Sequence, residues 1–158
     1  MKKSLFLVAI SLMFVSCTPK NSAFRYFDKG DIETTAIRNT KKADIVKDNE
    51  IDAIFMATYL NKFDPKISDK EENFLVYIFF PNKEEQEFKT SGYELSLNGK
   101  IPFSMEKIEK DNKKFQDMML RNFWGTYYLV KFTNKELVDK LQITLRPKSS
   151  DATLNFEK

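Results

Sequence analysis

The stretch Phe74-Leu75-Val76-Tyr77-Ile78-Phe79-Phe80 decides the fold class of this chain. Every side chain in it is aromatic, β-branched or leucine, and the run ends at the turn-forming pair Pro81-Asn82. A short, continuous apolar run bounded by a turn is typical of a strand that is covered on both faces. The sequence therefore predicts a central β-strand over residues 74–80.

Strands with alternating apolar side chains surround this central run. From Glu50 to Leu60 the pattern has a period of two and both faces are largely apolar, which again predicts a strand covered on both sides. Trp124 to Phe132 alternates as well, and we place Trp124 in the core rather than on a surface that stacks sugars. Residues 141–145 and 152–156 predict two further strands, joined by a polar turn from Pro147 to Asp151.

A hairpin is predicted around Asn98-Gly99. Tyr93 to Leu97 alternates cleanly, and Asn-Gly is a strong two-residue turn signal. The partner strand would run from Lys100 to about Ile108, and Pro102 favours an edge position for it because proline cannot donate to a strand ladder.

The remaining segments predict helix or loop. Asp31 to about Asp44 has a helical pattern without internal proline or glycine, and Thr133-Asn134-Lys135-Glu136 matches a capping box that would open one or two helical turns through Val138. Residues 61–72 and 83–92 are polar and predict loops. Residues 111–122 are either a helical turn with Phe115, Met118 and Met119 on one side or an irregular crossover.

About seven short strands with regular turn signals predict a mainly β fold, an antiparallel sandwich of immunoglobulin-like type with a short N-terminal helix. Residues 24–158 would form this single domain. The chain contains a tryptophan but only one cysteine, so it lacks the Cys-Trp-Cys core of many immunoglobulin domains and its strand topology stays open.

The first 23 residues have the composition of an export signal followed by a tether. Lys2 and Lys3 precede an apolar stretch over residues 5–15, which is too short to span a membrane, since a spanning helix needs about 20 residues. Phe14-Val15-Ser16-Cys17 resembles a bacterial lipobox, in which cleavage after Ser16 exposes Cys17 for lipidation. Residues 1–16 are therefore predicted as the signal peptide and 17–23 as the lipidated cysteine and tether.

The lipobox resemblance implies a location in the cell. Several acyl chains on Cys17 would hold the domain stably on a membrane. Thr18 rather than aspartate follows Cys17, and by resemblance to Gram-negative lipoproteins this favours the outer membrane, with the domain facing the periplasm or the cell surface.

Composition argues against several classes of function. Without Lys2 and Lys3, the 26 basic residues fall to 24 against 23 acidic residues, a net charge of +1 that does not favour nucleic acid as a partner. The chain has no histidine, so the usual general base and the commonest zinc ligand are missing. Cys17 is the single cysteine and permits no intramolecular disulfide. We expect no enzyme activity, no cofactor and no metal.

Four groups of residues are candidate sites. Asp69, Glu71 and Glu72 could serve a carboxylate hydrolase, but we expect a solvated surface. Residues 28–33 place acids at a spacing that suggests calcium, although a helix start with acids at its positive end is simpler. Residues 107–114 are lysine-rich and predict a solvated loop, with contact to phosphate or anionic lipid as the alternative. Met118-Met119 predicts core packing rather than an adaptable contact surface.

The stretches Thr40–Ile45, Asn49–Ile51, Ala57–Asn61 and Tyr127–Phe132, with Trp124, resemble small lipoproteins of epsilonproteobacteria. That resemblance implies a variant immunoglobulin-like sandwich, mostly without an assigned activity, and a neighbouring class that includes host-cell adhesins. The sequence hypothesis is therefore a lipid-anchored, non-enzymatic domain that contacts an envelope or host protein. A surface adhesin and a carboxylate hydrolase of envelope polymers are the alternatives.

Overall fold

The computed structural model describes residues 30–63, 70–122, 124–133, 138–147 and 151–158, apart from the side chain of Asp31. One α-helix and eight β-strands lie in these ranges. The elements in chain order are α1 (Asp31–Arg38), β1 (Thr40–Lys47), β2 (Glu50–Tyr59), β3 (Glu71–Phe79), β4 (Glu94–Leu97), β5 (Ser104–Ile108), β6 (Thr126–Thr133), β7 (Lys140–Arg146) and β8 (Ala152–Glu157).

The strands form two antiparallel sheets that pack face to face. The larger sheet has the order β1-β2-β3-β6-β5, and the smaller one has the order β4-β7-β8. The side chains between the sheets form one core, and its largest fully buried members are Phe55, Phe74, Phe80, Phe132, Ile78, Leu141, Ile143 and Leu145. The predicted mainly β, antiparallel sandwich with a short N-terminal helix is confirmed at this level, with eight strands among the described residues instead of about seven.

The central position of the run 74–80 is confirmed. β3 lies third in the five-stranded sheet, and its residues 72–78 are all buried because both faces of the sheet are covered there. Phe74, Val76 and Ile78 face the smaller sheet, whereas Leu75 and Tyr77 face a second, smaller core on the outer side. The strands predicted from Glu50 and over residues 141–145 and 152–156 are confirmed as β2, β7 and β8.

The N-terminal helix is shorter than predicted. It ends at Arg38, where the side chains of Asn39 and Thr40 donate hydrogen bonds to the carbonyl oxygens of Thr35 (2.9 Å) and Ala36 (2.7 Å). Both carbonyl oxygens also accept the backbone N–H of Asn39 at 3.1 Å, so the two side chains add second bonds at the helix end. Residues 40–47, which the sequence pattern placed partly in the helix, form β1 because Ala43 and Ile45 alternate toward the core.

The predicted hairpin partner is wrong. Asn98 and Gly99 do form a tight turn, with φ values of 48° and 78°, and Leu97 and Lys100 exchange backbone hydrogen bonds of 2.8 and 2.9 Å. Beyond Lys100, however, the chain crosses to the other sheet and pairs as β5 with β6, while β4 pairs with β7. The expected edge position is confirmed, since β5 borders the larger sheet just after Pro102.

Residues 111–122 form an irregular crossover with a short 3₁₀ turn at Gln116–Met118, which decides between the two alternatives. The signal peptide, Ser16, Cys17, the tether, Asp28, Asp69 and the capping-box residues 134–136 lie outside the described residues.

Candidate functional site

The outer face of the five-stranded sheet carries a cavity. Helix α1 and the crossover over residues 111–122 contact each other above this face. Between them and the sheet lies a space of about 340 Å³. Its floor is formed by Met56, Thr58, Leu75, Tyr77 and Tyr127, and its cover includes Ala36, Ile37, Met118, Met119 and Leu120. A volume and an apolar lining of this kind are ordinary for a small-molecule site.

The hydroxyl groups of this cavity bond to the protein itself. The hydroxyls of Thr40 and Thr58 lie 2.6 Å apart, and the backbone N–H of Leu120 donates to the Tyr127 hydroxyl at 2.6 Å. Burial raises the pKa of Tyr127 to about 12. These hydroxyls already have partners, so the polar contacts that orient a ligand would come from the charged lining residues Glu33, Lys41, Lys42 and Asp117.

Met118 and Met119 belong to the cover of this face. Both are half-buried and pack against the outer core, which confirms their predicted core packing. Met118 also borders a second cavity of about 220 Å³ on the other side of the crossover. A flexible thioether side chain is suited to such an irregular boundary.

Trp124 is not a core residue, contrary to the prediction. It lies before β6 begins at Thr126, and 68 % of its surface is exposed. The alternation in the sequence continues one residue pair before the start of β6, where no strand holds the side chain against the core. The Trp124 ring packs instead on Phe79, with ring centroids 6.1 Å apart and planes tilted by 34°.

The cleft beside Trp124 has a mixed polar and apolar lining. It has a volume of about 580 Å³ and lies where β5 ends and β6 begins. Its polar lining residues are Gln86, Lys107, Glu109, Lys110, Asp111 and Thr126. Residues 109–111, 113 and 114 are exposed, which confirms the predicted solvated loop, whereas Lys107 lies on β5 and forms an ion pair with Glu87.

The free edge of β5 has exposed apolar residues at its start. Ile101 is 79 % exposed and Phe103 is 55 % exposed. β5 pairs with β6 on one side, and within the part of the chain that the structure describes no strand pairs with its other side. This edge therefore combines backbone hydrogen-bonding groups with large apolar side chains.

Glu72 is buried, which overturns its predicted place on a solvated surface. Only 2 % of it is exposed, and it faces the sandwich interior with the same parity as Phe74. Its carboxylate accepts a hydrogen bond of 2.7 Å from the Tyr59 hydroxyl and pairs with the Lys158 ammonium at 2.7 Å. This parity was visible in the sequence and could have indicated an inward-facing carboxylate.

The neighbouring Glu71 points the other way. It is half-buried and lines the smaller cavity on the outer face, because successive side chains of a strand lie on opposite faces. The structure therefore does not bring Glu71 and Glu72 together as a hydrolytic pair would require. Among the residues described, no three acidic, histidine or cysteine side chains cluster as metal ligands would.

Comparisons with protein-family models, with curated proteins and with solved structures found no match for this chain. Searched over the described ranges, the structure contains no helix long and apolar enough to cross a membrane.

Proposed function

We propose that this protein is a lipid-anchored envelope protein that acts by binding a partner protein, without catalysis of its own. The lipobox-like residues Phe14-Val15-Ser16-Cys17 support an anchor formed by lipid on Cys17. Thr18 supports location at the outer membrane. The lipid would hold the sandwich at the membrane surface and leave its sheets and loops open to other envelope proteins.

The free edge of β5 is the observation that carries the binding proposal. An extended segment of a partner can add to such an edge through main-chain hydrogen bonds, and side-chain pockets then give specificity. Ile101 and Phe103 precede the edge strand and would contact apolar side chains of the added segment. Glu106, which is exposed on β5, would favour a basic residue opposite it.

The anchor is tested by palmitate labelling of cells that produce the wild type or Cys17→Ala. We expect label on the wild type and none on the variant. Equal labelling of both would refute the anchor. Protease treatment of intact cells then reports the face of the membrane, because a domain on the periplasmic side is protected until the envelope is opened.

The binding edge is tested by photo-crosslinking in intact cells, with the crosslinking residue placed at Phe103. Val46 is the matched control, since it is 54 % exposed on β1, the opposite edge strand of the same sheet. We expect a discrete adduct from position 103, lost when Ile101→Ser is added, and no such adduct from position 46. An adduct that forms equally at both positions, or that survives Ile101→Ser, would refute docking at β5.

A further inference from the structure

Trp124 is the exposed side chain that most strongly indicates a binding site. It is the single tryptophan of the chain and presents 68 % of its surface to solvent. Isolated exposed apolar residues are normal on protein surfaces. A tryptophan is different because of its area, since an aromatic ring of this kind can bury roughly 150–250 Å² against a partner.

The position of Trp124 is fixed by its neighbours. One face of the ring packs on Phe79, and its backbone N–H donates to the side-chain oxygen of Asn122 at 3.4 Å. The next residue, Gly125, has no room for a side chain, because a Cβ there would lie 2.5 Å from the Tyr77 ring and 2.6 Å from the Ile78 carbonyl oxygen. The backbone next to the exposed ring is therefore packed closely against β3.

The wall next to Trp124 supplies hydrogen-bonding groups of both kinds. Lys107, which also pairs with Glu87, and Lys110 carry donors, and Glu109 and Asp111 carry acceptors. The Gln86 amide is already engaged, because it accepts from the Phe80 backbone N–H at 2.8 Å and donates to the Phe80 and Lys83 carbonyl oxygens. Because two positive and two negative side chains line this wall, their charges balance. The cleft of about 580 Å³ is open to solvent along the ring.

We propose that this cleft is a binding site for a pyranose sugar within a glycan chain. A pyranose ring presents an apolar face of C–H groups and a rim of hydroxyls, each of which both donates and accepts. The apolar face matches the exposed ring of Trp124, and the hydroxyl rim matches the mixed donors and acceptors of the wall.

Other ligand classes fit this cleft less well. A nucleic acid requires a basic surplus that neutralises phosphates, and the wall has as many acidic as basic residues. The core of a protein interface is depleted of charged residues, whereas four charged side chains line the same cleft as Trp124. The site is also distinct from the proposed protein-binding residues Ile101 and Phe103, which precede the opposite end of β5.

The single tryptophan gives this site its own optical signal. Full-length protein in detergent micelles would be titrated with chitohexaose, cellohexaose and maltohexaose, and mixed with purified murein sacculi in a pelleting assay. We expect at least one of these probes to bind, with a blue shift of tryptophan emission for a soluble oligosaccharide or co-sedimentation for the sacculi. Binding should persist at high salt, because stacking is not electrostatic.

Variants separate a binding role from a structural one. Trp124→Ala should weaken binding by about tenfold or more, measured by calorimetry or co-sedimentation, while Trp124→Tyr retains part of it. Val46→Ser is the matched control, since it removes an exposed apolar side chain on β1, the opposite edge strand of the sheet and outside the cleft, and should bind as the wild type does. Circular dichroism verifies that each variant is folded. The proposal is overturned if none of the four probes binds, or if folded Trp124→Ala binds as tightly as the wild type.

Discussion

The Tyr59 hydroxyl donates a hydrogen bond of 2.7 Å to Oε2 of the buried Glu72. The other carboxylate oxygen of Glu72 lies 2.7 Å from the ammonium of Lys158, which follows β8. Since β2 and β3 belong to the larger sheet and β8 to the smaller one, a single carboxylate joins the two sheets at this end of the sandwich. Burial, with the bond to Glu72 as the next cause, raises the pKa of Tyr59 above its usual value.

Replacing Glu72 should therefore destabilise the sandwich. Glu72→Ala leaves the Tyr59 hydroxyl and the Lys158 ammonium without their acceptor, which should lower the free energy of unfolding by about 2–3 kcal/mol. Urea unfolding followed by circular dichroism measures this change. Glu71→Ala is the matched control on the opposite face, with an expected loss of about 0.5 kcal/mol or less. Equal losses at the two positions would show that the buried carboxylate does not join the sheets energetically.

A methyl group at Gly125 should also be costly. Gly125→Ala forces the Tyr77 ring and the Ile78 carbonyl to move, and overpacking of this kind typically costs about 1–3 kcal/mol. Thermal unfolding would detect the loss. Gly30→Ala is the comparison, because no atom lies within 4 Å of the added methyl there and the loss should stay below about 1 kcal/mol. If both variants have the same melting temperature, close packing at Gly125 does not contribute to the stability of the fold.

Alkaline pH should weaken the fold through Tyr127. Burial raises its pKa to about 12, so above pH 10 the unfolded chain releases this proton while the folded chain retains it. The stabilisation is complete below pH 10 and falls as the pH rises toward 12, by roughly 1 kcal/mol for each pH unit. Unfolding free energies measured at pH 9, 10 and 11 should fall less steeply for Tyr127→Phe than for the wild type. Parallel curves would mean that Tyr127 titrates alike in both states.

The turn residue Asn98 should be sensitive to two separate changes. Its side-chain oxygen accepts a hydrogen bond of 2.8 Å from the Gln142 backbone N–H, and its side-chain amide donates one of 3.2 Å to the Lys140 carbonyl. Asn98→Gly keeps the backbone freedom and loses these bonds, at about 0.5–1 kcal/mol. Asn98→Ala adds the strain of φ +48° and should cost about 1 kcal/mol more. Urea unfolding ranks the three proteins, and an alanine variant as stable as the glycine variant would remove the strain argument.

Strands that bury a regular set of side chains could be predicted from the sequence. In β2, β7 and β8 the alternation of buried side chains can be read from the residues of each strand alone. The pairing of strands is not local. Nothing near Asn98-Gly99 indicates that β4 will find β7 in one sheet while β5 finds β6 in the other. β1 was missed because only Ala43 and Ile45 of its eight residues face the core.

How well the candidate sites could be predicted depended on the same contrast between local sequence patterns and contacts of distant segments. Trp124 is exposed because it lies before the start of β6. The alternating pattern of β6 continues back to Trp124, so the sequence did not indicate where the strand begins. The cavity under α1 and the crossover requires two segments far apart in sequence to meet on one sheet face. Glu72 was the exception, because its parity with Phe74 was readable but its partner Lys158 was not.

The crossing at Asn98-Gly99 also affects how the chain folds. The two arms of one tight turn belong to different sheets, because β4 pairs with the distant strand β7 and β5 with the nearer strand β6. Leu95 and Leu97, which are buried in the finished protein, gain their cover only when β4 pairs with β7. Pairing across such a long sequence separation is slow. We therefore expect these two leucines to stay accessible to a holding chaperone until that pairing has formed.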